Sequence, residues 1–264
     1  MSEERPELEE RKERKQNPVV KFLTDTVIKP FDKMSLGLLD MVQKGGTANP
    51  LQYQFYLSQD ALWYSIMKNL FDFEIEGIEN IPPEGEPAIV CTNHQSVFDP
   101  IIFCVSFAHF ARRRIHTIGA QRWFDVPFVG AYVKWCYAFP VRRGEHDVEA
   151  YNKVLQFLEE GELVGVYPEG TINNGGLNFL EPHVGAIRMA IDAKVPIIPL
   201  GITGSDKIMV RESKLPNLNT KLIVKIGKPM TMHEQYFDKP MPPHETLKGM
   251  INKVMNEIRN LLEY

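Results

Sequence analysis

Residues 88–101, AIVCTNHQSVFDPI, constrain the fold more than any other stretch of the chain. Ala88 to Thr92 form a short apolar run, the pattern of a buried strand. The far end reads as a helix start, with Asp99 as N-cap and Pro100 at the first helical position, where a missing N–H costs nothing. Between them lies a polar turn carrying His94, five residues before Asp99. In α/β proteins the carboxyl end of such a strand is where ligands are met. An imidazole and a carboxylate on one such turn raise the question of what they act on.

The remaining pattern agrees with an α/β fold. From Phe73 onward, short apolar runs alternate with amphipathic segments: strands at 73–78, 88–92, 116–119, 137–141, 163–167, 196–202 and 222–226. Helices are expected at 100–110, 147–160, 184–193 and 245–262, with Gly161 closing the second as a C′ glycine. About seven strands interleaved with helices imply a mostly parallel sheet covered on both faces. Three parts follow: a charged leader over 1–17, a helical segment over 18–71 and an α/β domain over 72–264. The leader balances acidic and basic residues and lacks the apolar content to fold alone. Within 18–43, residues Val20, Leu23, Val27 and Phe31 recur at helical spacing, and Met34 to Val42 follow Pro30. Lys21, Lys29 and Lys33 decorate this part. It reads either as an interfacial amphipathic pair or as two helices packed on the core. Over 51–71, Leu62, Trp63, Ile66, Met67 and Leu70 make one stripe, expected to face the core.

Composition removes several classes of function. A formal net charge of -4 over 264 residues gives no reason to expect nucleic acid as a partner. Cys91, Cys104 and Cys136 show no paired spacing, so neither disulfide nor zinc use is expected. The histidines outside the turn are scattered and suggest no metal site. No run approaches the ~20 apolar residues of a spanning helix. The expectation is a chain that lies on a membrane surface, on its cytoplasmic face.

A second turn completes the constellation. Tyr167 to Thr171, YPEGT, follows a buried strand as NHQSVFD does. If both strands share a parallel sheet, both turns meet at one edge, with a His, two carboxylates and several backbone donors. That is equipment for general base catalysis on a hydroxyl. Ser96 lacks the GxSxG elbow of a hydrolase nucleophile.

NHQSVFD resembles the NHxxxxD block of the glycerolipid acyltransferases, the family of lysophosphatidate acyltransferase. YPEGT resembles that family's PEGT block. The segment WFDVPFVGAYVKWCYAFPVRR and the strand VPIIPLGI resemble its other two blocks, and all four stand in the family's order. The resemblance spans about Phe73 to Pro229. It implies a glycerol-3-phosphate-acyltransferase-like fold, with a mixed, mostly parallel sheet. It also implies transfer of a fatty acyl group from acyl-CoA or acyl-carrier protein to the free hydroxyl of a lysophospholipid, most simply 1-acylglycerol 3-phosphate. No cofactor beyond that thioester donor is implied.

In this reading His94 takes the hydroxyl proton and Asp99 orients it, a triad logic with the substrate's oxygen in place of serine. Asn93 orients the turn or bonds local backbone. Glu169, Gly170 and Thr171 belong to the acceptor-binding block, Glu169 bonding acceptor hydroxyls or basic groups behind them. Arg142 or Arg143 supplies a guanidinium for a phosphate, with no choice between them from sequence. Two departures stand out. Ile172 follows PEGT where many members have Arg, and Pro182, His183 and Val184 precede Gly185 where many carry Lys, so two cations that the resemblance implies near the acceptor head group are missing. Other lysophospholipid head groups, a phospholipid donor, and a non-catalytic lipid-binding protein of the same fold are the alternatives.

Overall fold

The computed structural model describes residues 25–26, 29–43, 49–142, 147–173, 178–208 and 217–263. The charged leader, the linker glycines Gly45 and Gly46, and Arg143 lie outside these residues.

Seven strands form one sheet: β1 Asp72–Glu76, β2 Ala88–Thr92, β3 Ile115–Ala120, β4 Phe139–Val141, β5 Leu163–Val166, β6 Ile197–Thr203 and β7 Lys221–Ile226. Their order across the sheet is β1-β7-β6-β2-β5-β3-β4. All pairings are parallel except β6 with β7. β2 sits at the centre, paired on one side with β5 and on the other with β6. Both of its faces are therefore covered, which is why its sequence is apolar without alternation.

Alternate residues of these strands feed two apolar layers. Ile89, Cys91, Val164 and Ile197 pack under α6 Val148–Glu159, α7 Gly185–Ala193 and α9 His244–Leu261. Ala88, Val90, Leu163, Ile198 and Leu200 pack on the other face, against residues of α2 Pro50–Leu70 and α3 Asp99–Ala111. Packing there is tight: a β-carbon on Gly165 would lie 2.2 Å from Phe103 Cε1. Between β3 and β4 the chain forms two short helices, α4 Gln121–Phe124 and α5 Val129–Trp135, and a further short helix, α8 Ser205–Ile208, follows β6. Asp147 caps α6 by accepting from Ala150 N at 3.0 Å. Gly161 ends it at φ 80°, with Glu162 N donating to Phe157 O at 2.9 Å.

One expectation needs correction. The stripe read over 51–71 does not face the core as a whole: Leu62 and Leu70 are 52% and 45% exposed. The inward face of α2 instead carries Gln52, Tyr56, Asp60 and Met67, with Trp63 half-buried. Its polar groups find partners inside. Gln52 Nε2 donates to Lys134 O at 3.2 Å, and Trp63 Nε1 donates to the Tyr132 hydroxyl at 2.6 Å. Satisfied polar groups bury readily, and apolar periodicity cannot see them. The helix expected beyond the proline is present: α1 spans Lys29–Gln43 with Pro30 in its first turn, while the helical spacing read at Val20, Leu23 and Val27, with Lys21, lies outside the described residues. The inner face of α1 packs Leu39 and Val42 with Trp135 and Phe55. Its outer face leaves Phe31, Met34, Leu38 and Met41 exposed at three- and four-residue steps.

Candidate active site

Parallel pairing of β2 with β5 brings the two polar turns together. Asp99, fully buried, is the organising group. It does not act as the N-cap, as its place in the sequence suggests. It is the first residue of α3, and its carboxylate turns back toward the preceding turn. A single oxygen, Oδ2, accepts from Gln95 N at 2.6 Å, Ser96 N at 2.8 Å and His94 Nδ1 at 2.9 Å. The turn is short enough that its own N–H groups reach the carboxylate before those of the helix do.

The His94 ring is held on a second side. It stacks on Tyr167 with centroids 4.0 Å apart and planes 24° from parallel. Its backbone N–H donates to Glu169 Oε1 at 3.2 Å, and its carbonyl accepts from Asn173 N at 2.6 Å. Asn93 secures the turn from the other neighbouring strand. Its amide donates to Ile202 O at 2.8 Å and accepts from Ile202 N at 2.9 Å. The partner is thus the backbone of β6, not local backbone.

Glu169 is 3% exposed. Oε1 takes His94 N, while Oε2 takes Leu180 N at 2.9 Å. Burial pushes its carboxyl above the usual range, opposed by these backbone donors and by the Asn173 side chain. Both oxygens are engaged by the protein, so Glu169 works as a clasp between the two turns rather than as a free acceptor for substrate hydroxyls. Gly170, at φ 68°, turns the chain where a side chain would be strained, and Thr171 is half-buried beside it. Arg142 follows β4 on the same sheet edge, two strands beyond β5, and is exposed. Its N–H donates to Asp147 Oδ2 at 2.9 Å.

Sequence reading missed Tyr167 and Asn173 as supports of His94. Tyr167 directly follows β5 and Asn173 lies two residues beyond PEGT. Parallel pairing with β2 would have placed both beside the imidazole. Also missed was an apolar pocket of about 490 Å³, open mouth included, that starts at Pro100 and Ile101 next to Asp99. Tyr56, Gln59 and Trp63 of α2 form one wall and Tyr132 and Val133 of α5 another. Cys104 and Cys136 also line it, their thiols pushed up by burial, that of Cys136 to about 12.

The chemistry of this arrangement is that of a base. A carboxylate that accepts from Nδ1–H fixes the tautomer and leaves Nε2 able to take a proton. A buried pair of this kind at a parallel sheet edge is equipped for the chemistry of one class of enzyme, those that activate a hydroxyl for group transfer.

Comparison with known proteins gives that class a family. A family model described as Acyltransferase matches residues 72–203, half of the chain, so the chain belongs to the acyltransferase family and is an acyltransferase. It is similar to the 1-acyl-sn-glycerol-3-phosphate acyltransferase of Bacillus subtilis, with 29% identity over 190 residues, 70% of this chain and 87% of that one. It is also similar to the chloroplastic 1-acyl-sn-glycerol-3-phosphate acyltransferase LPAT1 of Arabidopsis thaliana, with 28% identity over 181 residues. That match covers 67% of this chain and 49% of the plant protein, about half its length. The fold matches the crystal structure of the 1-acyl-sn-glycerophosphate (LPA) acyltransferase PlsC from Thermotoga maritima. The TM-score is 0.61 at 19% identity, covering 91% of each chain.

Proposed function

We propose that this chain moves a fatty acyl group from an acyl thioester to the free hydroxyl of a lysophospholipid, most simply 1-acyl-sn-glycerol 3-phosphate to give phosphatidate, in phospholipid biosynthesis. The thioester is carried by coenzyme A or acyl-carrier protein, and no further cofactor takes part. The observation that carries the reading is the His94–Asp99 pair at 2.9 Å, with the carboxylate fully buried.

An alcohol is a poor nucleophile at neutral pH and needs a base as it attacks. His94 Nε2 removes the acceptor's proton while the hydroxyl oxygen adds to the thioester carbonyl. The imidazolium that forms is stabilised by Asp99, the tetrahedral intermediate expels the thiolate, and His94 returns the proton to sulfur. No acyl-enzyme is needed. The apolar pocket lined by Pro100 and Ile101, the residues that follow Asp99 in α3, supports this reading, since it gives an acyl chain somewhere to lie. Arg142 is the described guanidinium on this sheet edge for an acceptor phosphate.

Both substrates have long apolar tails, which favours a site on a membrane, on its cytoplasmic face. No helix among the described residues is long and apolar enough to cross one. The exposed stripe of α1 suits lying on a bilayer instead. The test is a panel of lysophospholipids offered with acyl-CoA and with acyl-carrier protein, the products identified by mass spectrometry. Wild type is expected to yield diacyl product, and His94→Ala to yield none while melting cooperatively. An active His94→Ala variant, or release of free fatty acid alone, would overturn the assignment.

A further inference from the structure

The apolar pocket between α2 and α3 holds a carboxylate that is only half answered. Asp60 stands on α2 and is 8% exposed. Its Oδ2 meets His109 Nδ1 of α3 at 3.4 Å. Tyr64 stacks on the His109 ring, with centroids 3.6 Å apart and planes 15° from parallel. The other oxygen, Oδ1, is buried and has no hydrogen-bond partner among the described residues. Burial pushes the carboxyl up to about 6, against the pull of His109 and Arg112. A buried oxygen without a donor destabilises the fold until something supplies one.

Asp60 is the one carboxylate among the described residues that line this pocket. Pro100, Ile101, Cys104 and Val105 line it from α3, so it runs along one face of that helix at four-residue steps. His109 continues the row of Ile101 and Val105. Asp60 therefore stands toward the end of the pocket away from Asp99, where its charge also opposes ionisation of the Cys104 thiol. From Asp99 to the stretch between Cys104 and His109 the helix rises about 8 to 15 Å. A long acyl chain with its carbonyl at His94, laid along α3, brings its middle carbons to that depth. A plain hydrocarbon chain there leaves Oδ1 unanswered. A chain with a hydroxyl supplies the missing donor.

Building on the proposed function, we infer that Asp60 selects acyl thioesters that carry a hydroxyl in mid-chain, the hydroxyl donating to Oδ1 inside the pocket. Asp60 is then a specificity residue for the donor substrate and takes no part in the transfer itself. His109 keeps Oδ2, so one oxygen is tied to the protein and the other to the chain. A hydroxyl gives up its water on entering an apolar pocket, and a charge-assisted bond to a carboxylate is strong enough to replace it. A hydroxyl on the β-carbon, next to the thioester, stops short of Asp60.

The experiment is a competition between two donors in one tube, stearoyl-CoA against either mid-chain hydroxystearoyl-CoA or β-hydroxystearoyl-CoA. Lysophosphatidate, lysophosphatidylcholine and lysophosphatidylglycerol are mixed as acceptors, and wild type, Asp60→Asn and Asp60→Leu are compared. Mass spectrometry of the products gives the ratio of kcat/KM for the two donors, from which a general loss of activity cancels. Wild type is expected to favour the mid-chain hydroxyl about tenfold, the effect of one hydrogen bond to a charged group, and to show no such preference for the β-hydroxyl. Asp60→Asn, with a weaker acceptor oxygen, narrows the preference to about threefold, and Asp60→Leu reverses it. A wild type that does not favour the mid-chain hydroxyl overturns the inference. So does a preference unchanged in Asp60→Asn, or equal favour for the β-hydroxyl, which puts the selecting group elsewhere. Should Asp60→Leu not fold, the wild-type and Asp60→Asn ratios decide. Transfer of stearoyl without any preference sinks this inference alone; transfer from no donor to any of the three acceptors sinks the proposed function, and this inference with it.

Discussion

Replacing Asp99 by Asn isolates what its charge does, because the local geometry dictates how the amide must sit. Gln95 N and Ser96 N both point at Oδ2, at 2.6 and 2.8 Å. Two donors force the oxygen of the new amide into that position, so His94 Nδ1–H still meets an oxygen and keeps its tautomer. The amide nitrogen lands where Oδ1 now lies, buried and without a partner. Each of three charge-assisted bonds becomes a neutral one, a loss of about 1 kcal/mol apiece and about 3 kcal/mol together. For a chain of this size that lowers Tm by about 6 to 12 °C. Catalysis loses more. An imidazolium and a carboxylate about 4 Å apart attract by about 4 kcal/mol at an effective dielectric near 20. That attraction exists only after His94 has taken its proton, so its loss falls on the transition state and lowers kcat about 10³-fold. Thermal melting and single-turnover transfer, measured on the same preparation, separate the two effects. A folded Asp99→Asn enzyme with kcat within tenfold of wild type would show that the carboxylate only builds the turn.

Glu169→Gln should cost about 2 kcal/mol by denaturant titration, since an amide N–H must then face either His94 N or Leu180 N, and it should lower kcat more than it raises KM. Gly165→Ala should cost at least about 2 kcal/mol, because its β-carbon meets the Phe103 ring at 2.2 Å; an unchanged Tm would contradict the packing described between β5 and α3. Asp60 carries a carboxyl raised to about 6 by burial, despite His109 Nδ1 at 3.4 Å. An acid raised in the folded state stabilises most when protonated, so its contribution is present at low pH and is lost as pH rises through about 4 to 6. Asp60→Asn should therefore gain Tm relative to wild type at pH 7 and lose that gain by pH 4; a constant difference across the range would refute this. Changing Phe31, Met34, Leu38 and Met41 together to Ser should weaken sedimentation with anionic vesicles and leave Tm nearly unchanged, since these side chains are exposed. Equal vesicle binding would remove α1 as the contact.

Legibility from sequence followed how many alternatives each local pattern admits. β2 was legible to the residue because an unbroken apolar run next to NHQ admits few structures. The C-terminal strands are legible from their apolar runs, and α9 from an apolar stripe on one helical face. Asp99 was misread at the level of its hydrogen bonds: before a Pro, an Asp looks like an N-cap, and only the closure of the preceding turn decides which N–H groups reach it first. The inward face of α2 was illegible because Gln52 and Asp60 count as polar until Lys134, Trp135 and His109 are seen beside them. Glu169 illustrates a third case. Its side chain in PEGT was legible as part of the site, but its direction depends on backbone N–H groups at residues 94 and 180, which no motif records.

The supports of His94 come from three strands and differ in kind. From β2 and the start of α3 come Asp99 on the ring and the two turn N–H groups on Asp99. From the far end of β5 come the Tyr167 ring, the Glu169 clasp on the backbone N–H and Asn173 on the carbonyl. From β6 comes the pair of hydrogen bonds to Asn93, one residue away. A histidine so fixed has lost its rotamer freedom during folding rather than during turnover, so substrate binding need not order it. The same geometry fits the proposed mechanism, in which no protein nucleophile takes part. With His94 held in this way, the remaining variable in the proposed mechanism is where the acceptor's hydroxyl is held. In the proposed function that task goes to a group with freedom left to meet a ligand, and Arg142 at the end of β4 is exposed. Differences in acceptor preference should therefore arise from Arg142 and from Ile172, while changes at Asn93, Asp99, Tyr167 or Glu169 should alter how fast any acceptor is acylated.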